Sequence, residues 1–280
     1  MNFLHKLRHI QRKNNSLLCI GLDTDVAKVP EFLYAYGDPQ YEFNRHIIDA
    51  TKDIVCAYKL NIAFYESVGE HGWYTVHQTL ARIPEEIVTI GDGKRGDIPS
   101  SSERQALLLC EDWEFAGTTV NPYMGKDSIE PFIKRKDQCA FVLTVTSNTG
   151  AKDFQYLKVK GRRLDSSSKP LYEHVVRTAK KWNTKNNIGL VVGATRPAEL
   201  KRIRSLAPDM PILIPGVGAQ RGNLETAVRY GCDPKGELAI INVGRSILYA
   251  SSGEDFAEKA REAALKIRDQ INIYREKYFW

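Results

Sequence analysis

Eight short apolar runs, each closing on polar residues, constrain this chain more than any other feature. They are LLCIGLD (17–23), IVCAYKLN (54–61), IVTIGD (87–92), TTVNP (118–122), CAFVLTVTS (139–147), IGLVVGAT (188–195), PILIPGVG (211–218) and LAIINVGRS (238–246). A run that is apolar at consecutive positions reads as a strand buried on both faces, and segments of helical periodicity separate the runs. A count of eight favours closure into a parallel (β/α)8 TIM barrel over an open doubly wound sheet. The length of 280 residues fits a single barrel domain spanning 1–280.

The connecting segments have the matching patterns. Ala106, Leu107, Leu109, Cys110 and Trp113 predict a helix over Arg104 to Phe115, and Glu254 to Tyr274 predicts a closing helix. In residues 1–16, Phe3, Leu4, Leu7 and Ile10 predict an amphipathic helix that closes one end of the fold. The first 22 residues contain no acid, yet the first core strand begins at Leu17 and leaves no room for a removable leader. Residues 158–170, with the stretch RRLDSSSK, predict an exposed surface loop after the fifth strand. No apolar run reaches membrane-spanning length, so the expected location is cytoplasmic with no membrane partner.

Forty Lys and Arg against 34 Asp and Glu leave a net charge of +6, which suits anionic ligands. The locally basic stretches Lys6 to Lys13 and Lys180 to Lys185 read as solvated helix faces, so no nucleic acid is expected. The five cysteines form no C-x-x-C pair, and Cys19, Cys56 and Cys139 lie in apolar runs, as buried free thiols do. His5 and His9 share a helical face, but no third ligand accompanies them and no metal site is expected.

Polar residues stand where the strands finish: Asp23, Lys59 with Asn61, Asp92 with Lys94, Asn121, Thr146 with Ser147, Thr195, and Arg245. A barrel builds its active site at this C-terminal rim, where the βα loops converge. Asp92 and Lys94 are two apart at a strand end, so their side chains should share one side. Asp97 follows past Gly96, and Lys59 ends the neighbouring strand, giving an alternating set of Lys59, Asp92, Lys94 and Asp97. A lysine flanked by carboxylates keeps its proton, which casts Lys94 as a proton donor, fitted to a carbanion. Aspartates nearby would repel a bound carboxylate by about 4 kcal/mol for unit charges 4 Å apart at an effective dielectric of 20. Loss of CO2 relieves that repulsion.

The seventh run continues as P-G-V-G-A-Q-R-G (215–222) and the eighth as N-V-G-R-S (242–246). Loops after strands seven and eight are the usual phosphate site of a barrel. Gly216, Gly218 and Gly244 allow close backbone approach, Arg245 can hold phosphate in a fork, and Gln220 can reach it from a lid. The spacing G-x-G-x-x-x-G is one residue too long for a dinucleotide fingerprint.

Taken together, L-C-I-G-L-D, A-Y-K-L-N, D-G-K-R-G-D-I, T-V-N-P-Y, T-S-N, P-G-V-G-A-Q and N-V-G-R-S resemble orotidine 5′-phosphate decarboxylase, most closely its longer bacterial (type 2) subgroup. The resemblance covers nearly the whole chain in order. It implies decarboxylation of orotidine 5′-phosphate to UMP, without metal or organic cofactor, by a homodimer. Lys59, Asp92, Lys94 and Asp97 match the charged tetrad, with Lys94 as proton donor and Asp97 serving the partner's site. Asp23 matches the ribose-contacting aspartate and Ser147 the serine that reads the pyrimidine. Gln220 and Arg245, within the Pro215 and Gly244 loops, match the phosphate ligands. Ser101 stands where a threonine commonly crosses the interface to the ribose, with Ser102 as its alternative. Three positions depart from the pattern: Pro99, Leu60 and Arg221.

Two other readings use the same residues. A Mg2+-dependent sugar-phosphate lyase on this barrel would need an acidic metal site, where Lys59 places a cation instead. A silent nucleotide- or RNA-binding barrel would have no reason to keep an alternating tetrad.

Overall fold

The computed structural model describes residues 1–160, 168–218 and 222–280. All eight apolar runs form strands: β1 (Leu18–Gly21), β2 (Ala57–Asn61), β3 (Val88–Arg95), β4 (Gly117–Val120), β5 (Cys139–Val145), β6 (Ile188–Val192), β7 (Ile212–Pro215) and β8 (Ala239–Val243). Each lies parallel to its sequence neighbours, and β8 returns to β1 through the pairs Leu18 with Ile241 and Cys19 with Asn242, closing the barrel. Closure removes both sheet edges, and helices cover the outside. This is why β1, β4, β6 and β8 are buried at every position.

One ring packs across three elements at the N-terminal end of the barrel. Phe141 of β5 lies between Gly117 and Gly189, where an added Cβ would come within 2.8 Å and 2.5 Å of the ring. Phe3 meets the same ring edge-on, with centres 5.7 Å apart. Phe3 opens the helix Phe3–Lys13, capped by the Asn2 side chain, which accepts the N–H of His5 at 2.9 Å. Phe3, Leu7 and Ile10 are fully buried, and each removal from water contributes roughly 1.5–3 kcal/mol. Arg8 and Arg12 tie the helix to the buried carboxylates of Asp233 at 2.8 Å and Glu237 at 2.6 Å. The helix packs at the end of the barrel opposite the strand-end residues.

Elsewhere the boundaries shift for local reasons. The helix expected over Arg104 to Phe115 starts earlier, as Pro99–Ala106, because Pro99 sits at the first helical position, where its missing N–H costs nothing. It continues into a wider π-helical turn, Leu107–Asp112, which buries Leu109 and Cys110 together. The closing helix runs further than expected, over Phe256–Phe279. An exposed loop is expected over 158–170, and the described part of it is extended. Lys158–Lys160 and Ser168–Pro170 pair as antiparallel strands, and the residues between, 161–167, lie outside those described. All five cysteines are buried and free. Among the described residues, no helix is long and apolar enough to cross a membrane.

Candidate active site

β2 carries Lys59 into the barrel mouth, where it is 2% exposed. An ammonium buried this far must be paired. Its Nζ lies 3.0 Å from Oδ1 of Asp23, just past β1, and 3.2 Å from Oδ2 of Asp92 in β3. The other oxygen of Asp92 accepts from Lys94 Nζ at 2.8 Å and from the Thr119 hydroxyl at 2.8 Å. Burial by itself would lower the Lys59 pKa, but the carboxylates of Asp23 and Asp92 outweigh it and raise it. Burial would likewise raise the Asp92 carboxyl, and Lys59 with Lys94 overcomes this and holds it below its ordinary value. Lys59 and Asp92 are thus both charged at neutral pH.

Asp92 and Lys94 meet, but not by strand alternation. Gly91 pairs with Thr118 and the next pair is Arg95 with Val120, so β3 advances four residues while β4 advances two. The surplus forms a bulge, a device for re-aiming side chains beside sites. Lys94 sits in it at φ 48°, and its N–H donates to the Thr119 hydroxyl at 3.0 Å. In a flat strand the two Cα atoms would stand roughly 6.7 Å apart with parallel side chains. Gly96 follows at φ 147°, where an added Cβ would lie 2.9 Å from the Asn121 carbonyl oxygen.

This turn decides which charges group within one subunit. The alternating chain within one subunit is Asp23, Lys59, Asp92 and Lys94. Within one subunit Lys59 is the lysine with two carboxylates, while Lys94 pairs with Asp92. Asp97 stands apart, because Gly96 has already turned the chain away. Its Oδ1 accepts the N–H of Ile98 at 2.6 Å, and it has no ion pair among the described residues. Ser102 is buried in the helix that follows, its Oγ accepting from Asp97 N at 2.9 Å and donating to Asp97 O at 3.0 Å. Of the two serines, Ser101 is the one left available for a contact from outside.

The remaining strand ends converge on a cleft of about 300 Å³ lined by Asp23, Lys59, Asp92, Lys94, Ser147, Pro215, Gly244 and Arg245, among others. Asp97 and Ser101 do not line it. Gln220 and Arg221 lie outside the described residues. Ser147 follows β5 and is approached closely by Gly193, where an added Cβ would lie 3.0 Å from its backbone nitrogen. Past β7, Gly216 and Gly218 take φ 98° and 87°, and Gly222 N–H donates to the Gly216 carbonyl at 3.0 Å, closing the glycine loop on itself. Arg245 opens the short helical turn Arg245–Leu248 and is exposed, its guanidinium making no hydrogen bond or ion pair among the described residues. A free guanidinium beside glycine turns can take an anion.

Two cleft residues escape the sequence reading. Thr119 fixes Asp92, but T-T-V gives no sign of which threonine faces inward. Asn242 lines the cleft from within β8, and there a signal existed, since it is the lone polar residue of that strand.

Residues 16–261 match the family described as Orotidine 5′-phosphate decarboxylase / HUMPS. An orotidine 5′-phosphate decarboxylase of Dehalococcoides mccartyi is 48% identical over 278 residues, covering 99% of this chain and 100% of the relative. Among solved structures, Leishmania donovani OMP decarboxylase aligns with TM-score 0.84 at 34% identity, over 99% of this chain and 100% of its own. Leishmania donovani UMP synthase aligns with TM-score 0.86 at 34% identity, over 98% of this chain but 57% of that longer one.

Proposed function

The chain belongs to the orotidine 5′-phosphate decarboxylase / HUMPS family, and on that premise we propose that it converts orotidine 5′-phosphate to UMP and CO2, the closing step of pyrimidine nucleotide synthesis. The observation that carries this reading is the pairing of Lys94 with an ionised, half-buried Asp92 at the barrel mouth. The bond from C6 of the pyrimidine to its carboxylate breaks, the electron pair stays on C6, and CO2 departs. Lys94 Nζ then delivers a proton to C6. Asp92 repels the substrate carboxylate and attracts the Lys94 ammonium, so the field favours the state in which the carboxylate is leaving. Lys59 holds Asp92 and Asp23 in place, and Asp23 receives the ribose hydroxyls. Ser147 reads the pyrimidine, while Arg245, Gln220 and the loop backbone at Pro215 and Gly244 take the phosphate.

Asp97, displaced from its own cluster, completes the partner's site in a homodimer, with Ser101 reaching the partner's ribose. The surface around it suits an interface, because Ile98, Tyr123 and Met124 are 54%, 83% and 49% exposed beside the bulged end of β3. The buried free thiols suit a reducing compartment, and the cytoplasm is the location we assign. No metal or organic cofactor enters the scheme, since the Lys59 and Lys94 ammoniums already pair with the carboxylates that a divalent ion would need.

Purified protein should deplete the orotidylate absorbance with time, and should do so in the presence of chelator. Unchanged absorbance overturns the assignment, and loss of activity on chelation favours a metal-dependent lyase of the same family. Lys94→Ala should abolish turnover while still binding UMP.

A further inference from the structure

Asn242 is 8% exposed and lines the cleft, in a strand otherwise made of Ala, Ile and Val. Its Oδ1 accepts from the Cys19 thiol at 3.4 Å, on the neighbouring strand and in direct register. Gly21, two residues past Cys19, leaves the space that the amide occupies. An added Cβ there would lie 3.1 Å from Oδ1, 3.3 Å from Nδ2 and 3.5 Å from Asp23 Oδ1. Nδ2 donates to no described atom, and it is not among the buried atoms sealed off without a partner. The amide donor is thus open to the cleft, where a leucine or valine would offer none. Cys19 is wholly buried, and burial pushes its thiol well above the ordinary value, so the sulfur keeps its hydrogen. A donor behind Oδ1 turns the amide one way, with its carbonyl to the wall and its NH2 to the cleft.

We infer that Asn242 Nδ2 donates to an acceptor oxygen on the sugar-phosphate half of the bound nucleotide, with Cys19 and Gly21 acting as positioning residues. The half is set by place. Asn242 precedes Arg245 by three residues, pairs with Pro215 of β7, and stands next to Asp23, while Lys94 lies beyond β2. The inference rests on the nucleotide reading above.

The test compares UMP and ribose 5-phosphate affinity, together with orotidylate turnover, in the wild type, Asn242→Leu, Asn242→Ala, Cys19→Ser and Cys19→Val. Both Asn242 variants should bind both ligands about tenfold more weakly, with KM raised in step and kcat nearly kept. Cys19→Ser retains a donor and should match the wild type, whereas Cys19→Val should weaken binding. The alanine variant serves if the leucine variant does not fold. Unchanged affinity in a folded Asn242 variant overturns the contact. A loss seen with UMP but not ribose 5-phosphate overturns the assigned half, and wild-type affinity in Cys19→Val overturns the positioning role. A wild-type protein that binds ribose 5-phosphate without consuming orotidylate refutes the decarboxylase reading and leaves the Asn242 comparison standing.

Discussion

The Thr119 hydroxyl donates to Asp92 Oδ1 at 2.8 Å, and its oxygen accepts the backbone N–H of Lys94 at 3.0 Å. One side chain of β4 therefore fixes both the carboxylate and the bulged backbone that presents its lysine. Thr119→Val keeps the shape and removes both bonds. A hydrogen bond to a charged group is worth about 1.5–3 kcal/mol, so kcat/KM for orotidylate should fall by roughly 10–100-fold. Steady-state kinetics within twofold of wild type would mean that Asp92 holds its place without Thr119.

Sharing of Asp97 can be read by mixing two dead enzymes. Lys94→Ala and Asp97→Asn should each be inactive alone. If Asp97 serves the partner, a mixed dimer contains one site with both residues intact, and equimolar reassociation should recover about a quarter of wild-type activity. If Asp97 acted in its own barrel, no mixed dimer would hold an intact site, and the mixture would stay silent.

Acid should act on the site through Asp92. Its folded pKa lies below its ordinary 3.8, so it adds stability above that pH, and the gain is lost as pH falls through the folded value. Lys59 has the opposite sign. Its pKa is raised from 10.5, so its contribution is complete below that value and fades only in strong alkali. Between these limits neither group titrates. In Asp92→Asn, the decline of Tm from pH 5 towards pH ~2 should be shallower than in wild type. Parallel declines in a thermal melt series would show that the carboxyl titrates alike in the folded and unfolded chain.

Gly96→Ala tests the turn that sends Asp97 outward. A side chain at φ 147° and 2.9 Å from the Asn121 carbonyl should cost about 1–3 kcal/mol. Tm should fall by roughly 3–10 °C, and activity should fall with it, since Asp97 and Ser101 move too. Calorimetry showing an unchanged Tm would mean that the loop relaxes freely.

What the sequence makes legible follows from which forces are local. A strand buried on both faces must be apolar at every position, so all eight strands can be read, and the polar residue ending each one marks the rim. Lys59 beside Asp92 also follows, because adjacent parallel strands bring neighbouring ends together. The bulge does not follow, since it depends on how β3 pairs with β4 and not on the residues of β3 alone. Spacing alone therefore does not show that, within one subunit, Lys59 has two carboxylate partners and Lys94 has Asp92. Thr118 and Thr119 are indistinguishable until register decides which faces inward. Asn242 is the reverse case, a polar residue in an apolar strand that marks itself.

Phe141 packs at the N-terminal end of the barrel only because Gly117 and Gly189 leave room for its ring and Phe3 meets its edge. None of these four residues can drift alone over evolutionary time. A larger residue at either glycine demands a smaller one at 141, and a smaller one at 141 opens a hollow under the helix. Across descendants of this chain the four should change together or not at all, inherited as a unit, while the rim above them is free to diversify.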